Sequence, residues 1–218
     1  MITVFVLDKK CNLNCEFCIC KDEKELTTED VKNKLDSCED TVIFTGGEPL
    51  LRDDINELCK YAKERNLKVG INTNGILINR LNLELVDFVN IPLDGREEAH
   101  NKLRGKGHYR FVMEALEKLK QNDVETRITT IATKINLEEI KQIPNIIQEY
   151  SNITLWRIFK FKDNQNNGNQ KYSITEEEFI KLKNIKTHCQ IEFVNDIDNF
   201  KEWKKVDSSG STLIQNPK

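Results

Sequence analysis

Residues 11–18 read Cys-Asn-Leu-Asn-Cys-Glu-Phe-Cys and place three thiols, Cys11, Cys15 and Cys18, within eight consecutive positions. Three thiolates this close can share one metal centre only if the backbone between them folds into a tight loop. A four-iron cluster ordinarily takes four cysteine ligands, so three leave one iron open to a small molecule. Two other interpretations stay open on spacing alone: structural zinc ligands, and unrelated buried thiols.

The sequence around this loop alternates short β-branched runs with amphipathic segments. Strands are predicted at residues 2–7, 41–44, 68–72, 88–91, 125–132 and 153–161. Helical segments are predicted at residues 28–35, from 54, and at 83–86, 109–122 and 138–150. Thr27 and Thr28 are candidate caps of the first of these helices. Asp54 and Glu57 have a spacing like that of a capping box, and the helix that starts there has an apolar face of Ile55, Leu58, Cys59 and Ala62. Six strand–helix alternations imply parallel strands with right-handed crossovers, and they are too few to close an eight-stranded barrel. We therefore expect an α/β fold, a partial (β/α)6 TIM-type barrel.

A change of composition after Phe161 predicts a short α+β C-terminal extension. Residues 162–171 are polar and rich in Asn and Gln, which is typical of an exposed loop. Thr175 and Glu178 have the spacing of a capping box and predict a helix start. A strand at 190–194 and a hairpin of 203–206 with 212–214 follow. We expect residues 1–161 to form the core and residues 162–218 to pack on it within the same domain.

Composition limits the class of partner. The 33 basic and 36 acidic residues give a net charge of −3, without the basic excess typical of nucleic-acid binding. No apolar run approaches the roughly 20 residues that span a membrane. Seven cysteines and no secretory leader favour a reducing cytoplasm. We therefore expect a cytoplasmic protein without nucleic-acid or membrane partners.

Three polar motifs follow three of the predicted strands. Gly46-Gly47-Glu48-Pro49 follows the second, Asn72-Thr73-Asn74-Gly75 ends the third, and Leu93-Asp94-Gly95 follows the fourth. In barrels of parallel strands, chemistry gathers at the carboxyl ends. The glycines permit a close backbone approach, and short polar side chains can reach a ribose or a substrate hydroxyl. The Asn-Gly pair is also compatible with a simple turn.

The C-x3-C-x2-C spacing followed by Gly-Gly-Glu-Pro resembles the radical S-adenosylmethionine (radical SAM) enzyme family, and the resemblance covers about residues 3–161. It implies that Cys11, Cys15 and Cys18 hold a [4Fe–4S] cluster whose open iron chelates SAM. The other cofactor-binding residues that it implies are Phe17 beside the adenine, Gly46, Gly47, Glu48 and Pro49 at the SAM amino group, and Thr73 and Asn74 facing the ligand.

Residues 91–105 are similar to the branch of that family that contains molybdenum-cofactor and peptide-maturing enzymes. Asp94 and Arg104 are its polar candidates for cofactor binding at the end of the fourth strand. Pro92 stands where a serine usually contacts SAM, so that contact is not carried over. We favour a structural helix role for His100 over a substrate contact.

The resemblance implies a reaction but not a substrate. An external reductant such as flavodoxin or ferredoxin supplies an electron, SAM is cleaved to methionine and a 5′-deoxyadenosyl radical, and the radical abstracts hydrogen from a small molecule or a peptide. A nucleotide-modifying enzyme similar to viperin is an alternative, because residues 156–159 (Trp-Arg-Ile-Phe) resemble its sixth strand. A non-catalytic iron–sulfur or zinc-binding module is a further alternative.

The remaining cysteines and the sixth strand yield smaller predictions. Cys20 is expected to be a spectator thiol, and Cys59 a core residue. No cysteine-rich carboxyl-terminal segment is present, so auxiliary clusters are not expected. Strand alternation places Arg157 and Lys160 on opposite faces, so only one can meet an anionic substrate. Trp156 is interpreted as core.

Overall fold

The structure is a computed structural model that describes residues 1–18, 24–162, 170–195, 203–207 and 210–214. The strands in these ranges are β1 (Ile2–Val6), β2 (Thr41–Thr45), β3 (Lys68–Asn72), β4 (Phe88–Pro92), β5 (Glu125–Ala132), β6 (Ile153–Lys160), β7 (Gln190–Val194), β8 (Trp203–Asp207) and β9 (Gly210–Ile214). The α-helices are α1 (Thr28–Leu35), α2 (Ile55–Lys63), α3 (Glu97–Arg104), α4 (His108–Gln121), α5 (Ile143–Ile147) and α6 (Glu176–Lys181). Cys20 and most of the polar segment after Phe161 lie outside the described residues.

The chain separates into two compact units. The first consists of Met1–Asn12, Cys20–Asn90 and Asp198–Lys218, and the second of Leu13–Ile19 and Ile91–Ile197. Strand β4 therefore begins in the first unit and ends in the second. None of the helices in the described part of the chain has the length and apolarity needed to cross a bilayer.

The first unit contains strands in the order β4-β3-β2-β1-β8-β9. All neighbours are parallel except β8 and β9, which form the predicted antiparallel hairpin. The predicted apolar face of α2 is buried in full. The rings of Phe5 on β1 and Phe44 on β2 lie 5.6 Å apart and are both buried. Each such ring stabilises the fold by about 1.5–3 kcal/mol relative to leaving it in water.

The second unit contains β5, β6 and β7 as parallel neighbours. Trp156 on β6 is fully buried, and its indole N–H donates to Thr130 Oγ1 at 2.8 Å, so its interpretation as core is confirmed. The two basic residues of β6 both have acidic partners. Arg157 Nε donates to Glu192 at 2.7 Å, and Lys160 Nζ donates to Glu176 at 2.7 Å.

Two helix predictions are wrong in detail. Asp54 precedes α2 but makes no capping bond, because its carboxylate accepts from Arg52 and from Thr28 instead. The long helix predicted over 138–150 is a 3-10 turn at Glu139–Gln142 followed by the short α5. Pro144 lacks an N–H for the helical ladder, so α5 has to restart around it.

The bounds of helix α3 were not predicted, although His100 within it was interpreted as a structural helix residue. Its N-cap residue is Arg96, which makes no side-chain capping bond, so the usual sequence signal for a helix start is missing. Elsewhere the caps agree with the sequence: Thr27 with Asp30 and Thr175 with Glu178 form complete capping boxes at α1 and α6.

Candidate functional site

The predicted site residues divide between the two units. Cys11, Gly46–Pro49, Thr73 and Asn74 belong to the first unit. Cys15, Phe17, Cys18, Asp94 and Arg104 belong to the second. We describe each set within its own unit.

The glycine pair after β2 packs against the backbone that leads into Cys11. A Cβ atom on Gly46 would lie 2.5 Å from the Asp8 carbonyl oxygen, and one on Gly47 would lie 2.1 Å from the Lys10 carbonyl oxygen. The same approach is fixed by two hydrogen bonds, Gly47 N–H to Asp8 O at 2.8 Å and Glu48 N–H to Lys10 O at 2.7 Å. The close approach predicted at these glycines is therefore made by residues 8–10 of the chain itself.

Glu48 is 1% exposed and joins the ends of β2 and β3. Its Oε1 accepts from Leu50 N–H at 3.0 Å and from the Thr73 hydroxyl at 2.7 Å, and its Oε2 accepts from Asn74 N–H at 2.7 Å. Burial raises the pKa of Glu48, and the three hydrogen bonds oppose part of that rise. Both carboxylate oxygens thus serve to fix the Thr73-Asn74 turn.

Asn74 connects this turn to Cys11. Its Nδ2 donates to Asn12 Oδ1 at 2.6 Å and approaches Cys11 Sγ at 3.8 Å, while its Oδ1 accepts from Ile76 N–H at 3.0 Å. Cys11 itself is exposed. A continuous series of bonds therefore runs from buried Glu48 through Asn74 to the first predicted ligand.

In the second unit, the fully buried Asp94 forms an ion pair with the partly buried Arg104. Asp94 Oδ2 accepts from Arg104 Nε at 2.7 Å, and Asp94 Oδ1 accepts from Ile131 N–H at 2.9 Å. Burial raises the pKa of Asp94, but the positive charge of Arg104 and the hydrogen bonds from Arg104 and Ile131 together outweigh it, and the pKa is lowered. The pair stays ionised at neutral pH.

Two histidines extend this pair into the protein interior. Asp94 N–H donates to His100 Nδ1 at 3.1 Å, so that nitrogen carries no proton and Nε2 donates to His108 Nδ1 at 2.7 Å. Burial lowers the pKa of His100 to about 3. His100 is fully buried and neutral, which favours its structural interpretation.

Arg104 also contacts the cysteine loop, which we define as residues 15–18. Its guanidinium carbon lies 4.8 Å from the centroid of the Phe17 ring, and its carbonyl oxygen accepts from Cys15 Sγ at 3.8 Å. Burial lowers the pKa of Arg104, but Asp94 and the Cys15 thiol reverse this and raise it. Phe17 is 6% exposed and belongs to an apolar cluster with Leu103, Phe161 and Tyr172.

The donor chemistry of the three cysteines suits a metal centre. Cys11 is exposed, Cys15 and Cys18 are half-buried, and Cys18 N–H donates to Cys15 O at 3.1 Å to close a tight turn. Cys59 is different: it is fully buried, and burial raises its pKa to about 12, as expected for an inert core thiol. Across the described ranges, no three His, Cys, Asp or Glu side chains are already gathered around one metal position.

Two residues near these motifs were missed by the sequence. Tyr172 contacts the cysteine loop from far along the chain, which no local pattern signals. Asn90 lies in the apolar strand β4, and its Nδ2 donates to Asn72 Oδ1 at 2.5 Å. Its own Oδ1 is buried with no hydrogen-bond partner among the described residues. An asparagine inside an otherwise apolar strand was the available signal.

Residues 7–147 match the sequence family described as the radical SAM superfamily. The Fe-coproporphyrin III synthase of Methanosarcina barkeri is 31% identical over 163 residues, which is 68% of this chain and 41% of that protein. The AdoMet-dependent heme synthase of Nitratidesulfovibrio vulgaris is 30% identical over 69% of this chain and 45% of its own length. The mycofactocin maturase MftC of Mycolicibacterium smegmatis is 31% identical over 64% and 40%. The match thus spans less than half of each curated relative.

Solved structures share the fold at lower identity. Streptococcus suis SuiB bound to S-adenosylmethionine superposes with a TM-score of 0.75 at 16% identity, covering 94% of this chain and 57% of that chain. Native anSMEcpe with bound AdoMet and a peptide superposes with a TM-score of 0.67 at 21% identity, covering 84% and 58%. This likeness confirms the predicted fold class, α/β with a partial (β/α)6 TIM-type barrel and a short α+β extension.

Proposed function

The chain belongs to the radical SAM superfamily, and we propose from that membership that Cys11, Cys15 and Cys18 ligate one [4Fe–4S] cluster that binds SAM. The observation that carries this proposal is the family match itself, because residues 7–147 include all three cysteines and the Gly46–Pro49 segment. The half-buried or exposed state of these thiols supports it, since ligands must be reachable by a metal.

When bound, the cluster and SAM supply one-electron cleavage of SAM and hydrogen abstraction from a substrate. The side chains of this protein would bind the cluster and SAM and orient them. In the first unit, Glu48 and Thr73 hold Asn74, which holds the residues around Cys11. Among these residues we propose Asn74, and the carbonyl groups of Gly46–Pro49, as the ligand-facing groups.

In the second unit, the proposed cofactor-binding residues are Phe17, Asp94 and Arg104. Asp94 fixes Arg104, and Arg104 covers one side of Phe17. The burial of Phe17 supports a role in orienting the cysteine loop as well as a place beside the adenine. A soluble electron carrier such as flavodoxin or ferredoxin is the proposed reductant.

For the substrate, we propose a peptide. The support is that a mycofactocin maturase and a peptide-bound SuiB structure are similar to this chain. A porphyrin is the second candidate, because the curated relatives include a coproporphyrin synthase and heme synthases. A nucleotide is less favoured, because Arg157 and Lys160 are each paired with a carboxylate.

We also propose that residues 1–161 form the core and that residues 162–218 form an extension that packs on it within the same domain.

The experiment is anaerobic reconstitution followed by a SAM cleavage assay. Dithionite-reduced protein should contain about four irons per chain and release 5′-deoxyadenosine and methionine, detected by mass spectrometry. Replacing Cys11, Cys15 or Cys18 with alanine should abolish both the iron and the cleavage. The matched variants Cys38→Ala and Cys189→Ala should retain both. A protein that binds iron or zinc but never cleaves SAM would instead be a non-catalytic binding module.

A further inference from the structure

We propose that Tyr172, which lies in the predicted extension, is a positioning residue for the cysteine loop. This inference rests on the proposed function, and it assigns to the extension a task at the same site. Tyr172 acts on the two residues that lie between Cys15 and Cys18 in the sequence, Glu16 and Phe17.

The hydroxyl of Tyr172 holds the first of these two residues. It donates to Glu16 Oε2 at 3.0 Å, and Lys171 Nζ donates to the same oxygen at 2.5 Å. Burial raises the pKa of Tyr172, and Glu16 raises it further, so the hydroxyl keeps its proton and remains a donor. Glu16 follows Cys15 directly, so this bond restrains the backbone next to a proposed ligand.

The ring of Tyr172 holds the second residue. Its centroid lies 6.1 Å from that of Phe17 at an interplanar angle of 76°, and 5.5 Å from that of Phe161 at 63°. Both are edge-to-face arrangements, which are favourable for aromatic pairs. Tyr172 is 3% exposed, and Cys15 packs against the same cluster. One side chain therefore restrains the loop on both its polar and its apolar side.

Tyr172 can transmit this restraint because its own backbone is fixed to the sheet ends. Lys134 N–H, just after β5, donates to Tyr172 O at 3.1 Å. Phe161, just after β6, donates its N–H to Ala132 O at 3.0 Å. The carboxyl ends of β5 and β6 thus fix the position of the aromatic cluster, and the cluster packs against the cysteine loop.

Loss of this restraint should change the loop before it changes the fold. Thiolate geometry and the surroundings of the sulfurs tune an iron–sulfur cluster, so a looser loop should alter its spectrum and its retention. A hydrogen bond to a charged group corresponds to roughly a tenfold change in an equilibrium constant. We expect changes of that order at Cys15 and Cys18, and none at Cys11, which belongs to the other unit.

The test compares Tyr172→Phe and Tyr172→Ala with Tyr150→Phe and Tyr150→Ala. Tyr150 is a matched control, because it is 7% exposed and lies in the same unit. In the full-length protein before reconstitution, iodoacetamide labelling of each cysteine is followed by peptide mass spectrometry. Tyr172→Ala should accelerate labelling of Cys15 and Cys18 about tenfold relative to Cys11, and Tyr172→Phe should do so to a smaller extent.

After reconstitution, the electron paramagnetic resonance (EPR) line shape of the reduced cluster and the rate of iron loss to a chelator are compared. Tyr172→Phe should alter the line shape and speed iron loss, while Tyr150→Phe should match wild type. Glu16→Ala removes the acceptor of the Tyr172 hydroxyl, so it should reproduce the effect of Tyr172→Phe, and the double variant should add little. The ion pair of Glu16 with Lys171 that is lost with it is exposed and contributes little.

The inference is overturned if both Tyr172 variants match wild type in the rate of cysteine labelling, the rate of iron loss and the EPR line shape. It is also overturned if Tyr150→Ala has the same effects as Tyr172→Ala. Should Tyr172→Ala fail to fold, Tyr172→Phe and Glu16→Ala decide the matter, because each removes the hydrogen bond and leaves the aromatic rings in place. Should wild type take up no cluster, the proposed function fails, and the labelling rates still decide whether Tyr172 orders the loop.

Discussion

Cys11 is held by backbone groups and short polar side chains, whereas Cys15 and Cys18 lie beside large side chains. In the first unit, the backbone N–H groups of Gly47 and Glu48 donate to the carbonyl oxygens of Asp8 and Lys10, and Asn74 reaches Cys11. In the second unit, Arg104 and Tyr172 enclose Phe17 between the two later cysteines. The same short motif is therefore supported in two physically different ways.

The difference has consequences for how each support fails. Backbone against backbone leaves no space and cannot rotate away, so a single added methyl forces the chain apart. Side chains in a cluster can change rotamer, so the loss of one contact is partly compensated by its neighbours. We expect abrupt losses around Cys11 and graded losses around Cys15 and Cys18.

The largest effect on iron uptake is expected for Gly47→Ala. The new Cβ would lie 2.1 Å from the Lys10 carbonyl oxygen, so residues 8–10 must move, and Cys11 with them. Overpacking of this kind costs about 1–3 kcal/mol or more, and we expect lost iron uptake together with lost stability. Thermal unfolding and iron content measure both.

Gly105→Ala is the control for Gly47→Ala. Gly105 has φ of +125° but nothing within 4 Å of an added Cβ, so its substitution strains the backbone without a steric clash. If Gly47→Ala kept the wild-type iron content, or if Gly105→Ala lost as much iron, the contact between Gly47 and residues 8–10 would not be what supports Cys11.

The next effect is expected for Arg104→Ala. It leaves the fully buried Asp94 without its cation, and breaking a buried pair in this way costs about 3–5 kcal/mol. Urea unfolding of the protein without its cluster measures the loss. Arg96→Ala removes an ion pair with Glu139 whose arginine side chain is 63% exposed, and it should change the unfolding free energy little. Equal losses from the two variants would contradict the assignment of Asp94–Arg104 as a buried pair.

Glu48→Gln should have a smaller effect. A glutamine can still accept from Leu50 and Thr73, but its amide group presents a donor to the Asn74 N–H. An unsatisfied buried N–H costs about 1–3 kcal/mol. We expect a lower unfolding free energy and faster labelling of Cys11 by iodoacetamide, with Cys15 and Cys18 unchanged. Equal acceleration of labelling at all three cysteines would contradict the claim that Cys11 is supported differently from Cys15 and Cys18.

The smallest effect on the three cysteines is expected from pH. The pKa of His100 is lowered to about 3 in the folded protein, against about 6.5 when unfolded, so the unfolded state binds the proton more readily. Its contribution to stability is complete above pH 6.5 and is lost as pH falls toward 3, with a slope of at most about 1.4 kcal/mol per pH unit. His100→Gln should flatten the decline in unfolding free energy between pH 6 and pH 4 that the wild type shows. An unchanged slope would contradict a neutral, buried His100.

Local signals in the sequence predict much of this fold. The bounds of α1, β3, β5 and β7 agree with the prediction, because period and caps specify them residue by residue. Asp54 shows the limit of such signals: its spacing to Glu57 resembles a capping box, but Arg52 and Thr28 compete for the carboxylate. Helix α3 lacks a side-chain signal at its N-cap.

The site shows the same limit more strongly. Motif order identifies the cysteines and the Gly46–Pro49 segment, but it does not reveal that the glycines receive residues 8–10. The bond between Tyr172 and Glu16 joins residues 156 positions apart. No sequence motif includes both residues, so this contact is visible only in the folded chain.

The central claim is that Cys11, Cys15 and Cys18 together hold one cluster that binds SAM. EPR spectroscopy of the anaerobic, dithionite-reduced protein, recorded with and without SAM, tests it most directly. The account predicts the signal of one reduced [4Fe–4S] cluster whose g values shift when SAM is added, and its loss in each of the three Cys→Ala variants. A signal that ignores SAM, or that survives replacement of any of these cysteines, would contradict it.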